Sequence, residues 1–269
     1  MRAILLWPLL ACLALPVWAD ARMTVLVDVL KLREVAQILR VEGQVYAQEV
    51  NADMLGGAGG TGWNQQVDAI YDPDRMVEVL RSALEVELQG DVLEDTISFF
   101  ASPLGTRIVT LENAARKTLA DQAAEDAARA RYVELSGAPT KRLTAITDLA
   151  EAGDMINRNV TTAMNANFQF LRGLADSDVV DSTEEEILAD VSDDLDAITQ
   201  DTTTWLFGFF LLAYDPLSDA EVQRYIDFSK TEAGMALNRA LFAGFGKAYE
   251  DISYALGQAV GLNMLAEEL

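Results

Sequence analysis

Phe99-Phe100-Ala101-Ser102-Pro103-Leu104-Gly105 is the stretch on which the fold turns. It reads as the end of one helix and the start of the next. Ser102 offers a side-chain oxygen to the unpaired backbone N–H groups of a helix start. Pro103 suits the first helical position, where its missing N–H costs nothing and its φ is already helical. Apolar residues then recur at Leu104, Ile108, Leu111, Ala115 and Leu119. Steps of three and four place them on one helical face.

The same pattern extends in both directions. Val25, Val29, Leu32, Ala36, Leu39, Gly43, Tyr46 and Val50 form a stripe that reads as one long helix. Leu188, Val191, Leu195, Ile198, Thr202, Trp205, Phe209 and Leu212 form another, and Leu237, Leu241, Phe245, Ala248, Ile252, Leu256 and Ala259 a last one. Pro73 follows Asp72 and Pro216 follows Asp215, and capping boxes are expected at Thr183/Glu186 and Ser218/Glu221. No run of alternating β-branched residues with hairpin turns interrupts this order. The fold class is therefore all-α, a bundle of about eight helices.

The helical pattern fails at Leu55–Gly62, at Val133–Thr140 and at Asp176–Glu186. The middle break is the expected seam, near Gly137, between an N-terminal portion (20–136) and a C-terminal portion (137–269). The two portions look alike. Phe228, Thr231 and Gly234 repeat the spacing of Phe99, Ser102 and Gly105, with Glu232 in the place of Pro103. At the same offset Leu93 meets Val222, Ile97 meets Ile226 and Ile108 meets Leu237. In each portion the phenylalanine would anchor a short helix, the hydroxyl would cap the next one, and the glycine would allow close packing on its first turn. This points to two related halves.

The Phe-x-x-Ser-Pro-x-Gly segment, on a short helix beginning near Gly90-Asp91, resembles the domain-of-unknown-function 2059 family of exported bacterial helical proteins. Phe99, Ser102, Pro103 and Gly105 carry the resemblance. Phe228, Thr231 and Gly234 carry a second copy that lacks the proline. The resemblance implies an all-α fold and an envelope location, and it brings no catalytic residues.

Residues 1–19 read as a secretory signal. Arg2 supplies the positive start, Ile4–Val17 is an apolar run, and Val17-Trp18-Ala19 and Ala19-Asp20-Ala21 offer small residues at the cleavage spacing. The run is too short for a stable membrane span, and Cys12 lies too early for a lipoprotein cut. The expected location is the periplasm. Cys12 is the only cysteine, so cleavage would leave neither a disulfide nor a thiolate site.

The formal charge is −23, and loss of Arg2 makes it −23 − 1 = −24. Such a chain repels phosphate backbones and anionic lipid, which excludes nucleic acid as a partner. The apolar fraction of 51% argues against disorder.

Histidine is absent, which removes Ser-His-Asp and Cys-His mechanisms and nearly all zinc sites. Ser229-Lys230 are helix neighbours that point about 100° apart and cannot form a dyad. Gly57-Ala58-Gly59-Gly60-Thr61-Gly62 matches a dinucleotide fingerprint in letters, but no strand precedes it. Trp63, just after it, would staple the loop to the core or offer an aromatic contact to a partner. The acids from Asp176 miss the calcium-loop spacing at the fifth, sixth and twelfth positions (Val180, Asp181 and Ile187). Paired carboxylates among the 43 acids would suffice for glycoside hydrolysis, but spacing selects no pair.

Trp205–Tyr214 is apolar on every face and at ten residues is too short to span a bilayer. It reads as a buried helix, or as the lining of an apolar groove built from Trp205, Phe207, Phe209 and Phe210. Three functions stay open. The leading one is a non-enzymatic periplasmic protein that contacts another envelope protein. The second is a carrier for an apolar ligand such as a lipid tail. The third is a histidine-free hydrolase. No cofactor or metal is expected.

Overall fold

The computed structural model describes residues 14–177 and 179–267. The first thirteen residues of the expected signal lie outside that range. Thirteen helices make up the described residues, with no strand among them. In chain order they are α1 (Ala14–Val29), α2 (Leu32–Met54), α3 (Gly60–Ile70), α4 (Pro73–Glu87), α5 (Gly90–Ala101), α6 (Pro103–Leu119) and α7 (Gln122–Ser136), then α8 (Lys141–Ala152), α9 (Met155–Ala175), α10 (Glu184–Asp193), α11 (Leu195–Tyr214), α12 (Asp219–Ser229) and α13 (Glu232–Glu267).

The expectation of about eight helices is corrected by breaks inside the apolar stripes. The stripe across Val25–Val50 turns at Lys31, which stands in the left-handed region at φ 51°. The stripe through Leu104–Leu119 ends at Asp121, whose carboxylate accepts from the Ala124 N–H at 3.0 Å and starts α7. The stripe from Leu188 breaks at Asp194, between α10 and α11. The buried faces differ from the stripes read in the sequence: Leu188, Leu195 and Leu212 are exposed, α11 buries Leu206, Phe207, Phe210, Ala213 and Tyr214 instead, and α7 has no buried residue. The last stripe is one unbroken helix, α13, of 36 residues.

The helix starts follow local chemistry. Asp72, Ser102 and Thr140 accept from backbone N–H groups two or three residues on. Both expected capping boxes form, at Thr183/Glu186 and Ser218/Glu221.

Two apolar clusters fill the interior. One draws on α1 to α5 and adds Ala236, Leu237, Ala240, Ile252 and Leu256 from α13. The other joins Leu104, Ile108 and Ala115 of α6 to residues of α8, α11 and α12. Packing thus crosses the turn at Gly137 in both directions: α4 lies against α13, while α11 lies against α6 and α7. Among the described residues, no helix is long and apolar enough to cross a membrane.

Candidate functional site

The two phenylalanine hinges meet where the two clusters join. The Phe99 and Phe228 rings stack with centroids 3.9 Å apart and planes within 10°. Phe100 meets Phe228 edge-on at 5.5 Å, and Phe99 and Tyr225 each touch both clusters.

The hinges have the same local geometry. Ser102 Oγ accepts from the Gly105 N–H at 3.1 Å, and Thr231 Oγ1 accepts from the Gly234 N–H at 3.1 Å. A Cβ on Gly105 would collide with the Phe99 carbonyl, and one on Gly234 with the Phe228 carbonyl. Each glycine therefore lets a short helix fold back onto the start of the next, as expected from the spacing. Pro103 occupies the first position of α6.

A polar seam runs along α6 beside these hinges. Val109 belongs to one cluster and Ile108 to the other, and Glu112 and Arg116 of α6 meet side chains of both. Glu112 Oε1 accepts from the Tyr214 hydroxyl at 2.6 Å and the Tyr225 hydroxyl at 3.4 Å. Burial pushes the Glu112 carboxyl up to about 7, against the opposing pull of the two hydroxyls. Burial, and then the Glu112 charge, hold both tyrosines well above the usual phenol value.

One turn on, Arg116 makes a two-pronged pair with Glu42 of α2. Nε lies 2.9 Å from Oε1 and Nη2 lies 2.9 Å from Oε2. Nη2 also donates to the Tyr249 hydroxyl at 3.3 Å, and the guanidinium faces the Trp205 ring at 5.6 Å. Desolvation opposes the Arg116 charge, but Tyr249 and Glu42 outweigh it and hold the guanidinium above its usual value.

These residues escaped sequence reasoning. Glu112 and Arg116 sit a helical turn apart among 43 acids and 20 bases, and nothing in their spacing marks them out from surface pairs. Their partners come from α2, α11, α12 and α13, at separations only the tertiary fold closes.

The aromatic segment of α11 is divided between faces. Phe207 and Phe210 are buried in the second cluster, where Phe207 stacks on Tyr132 at 4.7 Å and Phe210 on Tyr214 at 5.5 Å. Trp205 and Phe209 are half-buried and stack on one another at 5.4 Å. Each of the four rings is thus stacked on another aromatic side chain of the chain. Trp63 is fully buried and donates from Nε1 to the Ala47 carbonyl at 3.1 Å, so it anchors α3 to α2. Ser229 gives its hydroxyl hydrogen to the Tyr225 carbonyl at 2.9 Å.

Chemically, the seam can store a proton. Glu112 is a carboxyl that changes charge near neutrality in a chain without histidine. Its neighbours are phenols engaged in binding it, an arrangement that ties α6 to α11 and α12.

No curated protein and no solved structure matches the chain. From α4 through most of α7, a stretch that includes the first hinge together with Glu112 and Arg116, residues 74–131 match the family described as an uncharacterized protein conserved in bacteria, DUF2059.

Proposed function

We propose that this chain is an exported, non-enzymatic helical protein of the bacterial envelope that works by presenting a helical surface to another protein. The observation that carries the reading is on α2. Val41 and Val45, one turn apart, are 56% and 58% exposed. They border an open groove of about 390 Å³ whose floor includes Val67 of α3 and whose rim carries Gln44, Gln48, Asn64 and Asp68. Apolar residues in register on one helix, rimmed by three amides and a carboxylate, suit a partner helix. The export signal read in residues 1–19 supports the compartment, and the family match supports a bacterial source.

The test is site-specific photo-crosslinking from Val41 and Val45 in living cells. A discrete adduct from these positions, absent when the probe sits at exposed Glu184, is the expected result. A ladder that is the same from all three positions would sink the reading.

We also read the chain as two related halves. Three local observations support this. The hinges at Ser102 and Thr231 share the capping hydrogen bond to the glycine N–H and the glycine contacts. The turn into α2 places Lys31 at φ 51° with its N–H on the Asp28 carbonyl, and the turn into α9 places Asp154 at φ 50° with its N–H on the Glu151 carbonyl. The order α1 to α6 is met by α8 to α13, with α1 on α5 as α8 is on α12. The family match takes in the first hinge and stops before the second.

A further inference from the structure

Acids outnumber bases 43 to 20 in this chain, so an arginine without a carboxylate is conspicuous. Arg158 of α9 is one. Among the described residues it makes no ion pair and donates no hydrogen bond, and its Nε is buried without a partner. Its guanidinium lies 5.7 Å from the Phe242 ring of α13. A buried N–H left unpaired costs free energy, and a guanidinium stacked on a ring still presents its edge for a two-pronged bond.

Arg158 faces an open groove of about 510 Å³ between α9 and α13. Of the other charges lining it, the two cations are ion-paired, and the two carboxylates accept from neutral amides and keep their charge. Arg239 pairs with Glu87 at 2.9 Å and Lys247 with Asp251 at 2.7 Å. Asp154 accepts from Asn157 at 2.7 Å, and Glu250 accepts from Asn165 at 3.1 Å. Thr161 and Thr162 add hydroxyls to the lining, and Phe242 adds an apolar wall.

The position does not need a cation to build the fold. Counted from the matching turns, Arg158 is four residues after Asp154 and Val35 is four after Lys31. Val35 packs against the first apolar cluster. This comparison, and only this one, rests on the reading of two related halves.

We infer that the α9–α13 groove is a binding site for an oxyanion carried on an apolar body, its carboxylate or phosphate oxygens taken by Arg158 and its body laid against Phe242. The charge left over at Arg158 and the ring beneath it specify both parts of that ligand.

The test is titration calorimetry on the mature chain with sodium decanoate and octyl phosphate, below their micelle thresholds, and with inorganic phosphate. Saturable one-to-one binding of either tailed compound is expected, weakened at least about tenfold in Arg158→Met. It should be unchanged in Arg224→Met, which alters an exposed arginine that has no ion pair among the described residues. Equal binding of inorganic phosphate, lost in Arg158→Met, would support the same site with a free anion as its source. No saturable binding of any of the three, in protein whose helical circular dichroism is intact, would overturn the site. So would binding that Arg158→Met leaves unchanged. The hinge variants described below test the two-halves reading separately, so failure of one does not imply failure of the other.

Discussion

Phe99 lies near the end of α5 and Phe228 near the end of α12, 129 residues later in the chain, yet their rings lie parallel with centroids 3.9 Å apart. The stack joins two hinges that share one geometry. From those hinges α6 runs into the second apolar cluster, with α8, α11 and α12, and α13 into the first, with α1 to α5. Each long helix therefore packs against both portions of the chain, α13 on α9 and α4 and α6 on α5 and α11, and the aromatic pair sits at the crossing point.

Truncating either ring should loosen this crossing. Phe99→Ala and Phe228→Ala are each expected to cost about 2–4 kcal/mol, below the range for fully buried rings because both are half-buried. Their double-mutant cycle should return a coupling of about 0.5–1.5 kcal/mol. Urea unfolding followed by circular dichroism measures all three, and additive losses would show that the stack contributes nothing beyond burial.

Gly105 and Gly234 stand where a Cβ would strike a backbone carbonyl. Alanine ordinarily favours a helix over glycine by about 1 kcal/mol. Here the clash reverses the sign, and Gly105→Ala and Gly234→Ala should each destabilise by roughly 1–3 kcal/mol. Gly62 in α3 has open space at the same test, so Gly62→Ala should stabilise by about 0.5–1 kcal/mol. Similar effects at Gly105 and Gly234 are what two related halves require; a large effect at one and none at the other would count against them.

Glu112 carries a pH signature. Its carboxyl is pushed from 4.5 in the unfolded chain up to about 7 in the fold. The folded state therefore binds the proton more tightly. Its stabilising contribution is full below pH 4.5 and is lost as the pH rises through 7. Glu112→Gln, which keeps an oxygen for Tyr214 and Tyr225, should remove this slope. Wild type should lose on the order of 1–3 kcal/mol relative to the variant between pH 4.5 and 8. Parallel stability curves for the two proteins over that window would refute the assignment.

Trp63 is held by packing and by one hydrogen bond to Ala47. Trp63→Phe keeps most of the packing and leaves the Ala47 carbonyl without that donor, for an expected loss of about 1–2 kcal/mol. Trp63→Ala should cost about 3–5 kcal/mol. Chemical denaturation of the two variants separates these contributions, and equal losses would mean that the hydrogen bond dominates.

Helix existence was legible in the sequence because caps and apolar periodicity are local. Ser102, Thr183 and Ser218 each satisfy N–H groups within three residues, so their roles could be read from the letters alone. The hinge glycines were legible for the same reason. The helix count was not, because Lys31 and Asp194 break the axis without a proline or glycine to announce it.

By itself, then, the sequence determined that the chain is helical, where its hinges lie, and, having no histidine and a single cysteine, that histidine and disulfide chemistry within the chain are closed to it. Those properties depend on residue type and on neighbours within a turn or two. Only the tertiary structure decided that α4 packs on α13 and α11 on α6 and α7, that Glu112 meets two tyrosines, and that Arg158 is left unpaired over Phe242. Those depend on contacts between residues some 80 to 170 positions apart, which close when the two apolar clusters form, and the burial that forms them is non-directional and leaves no mark in local spacing.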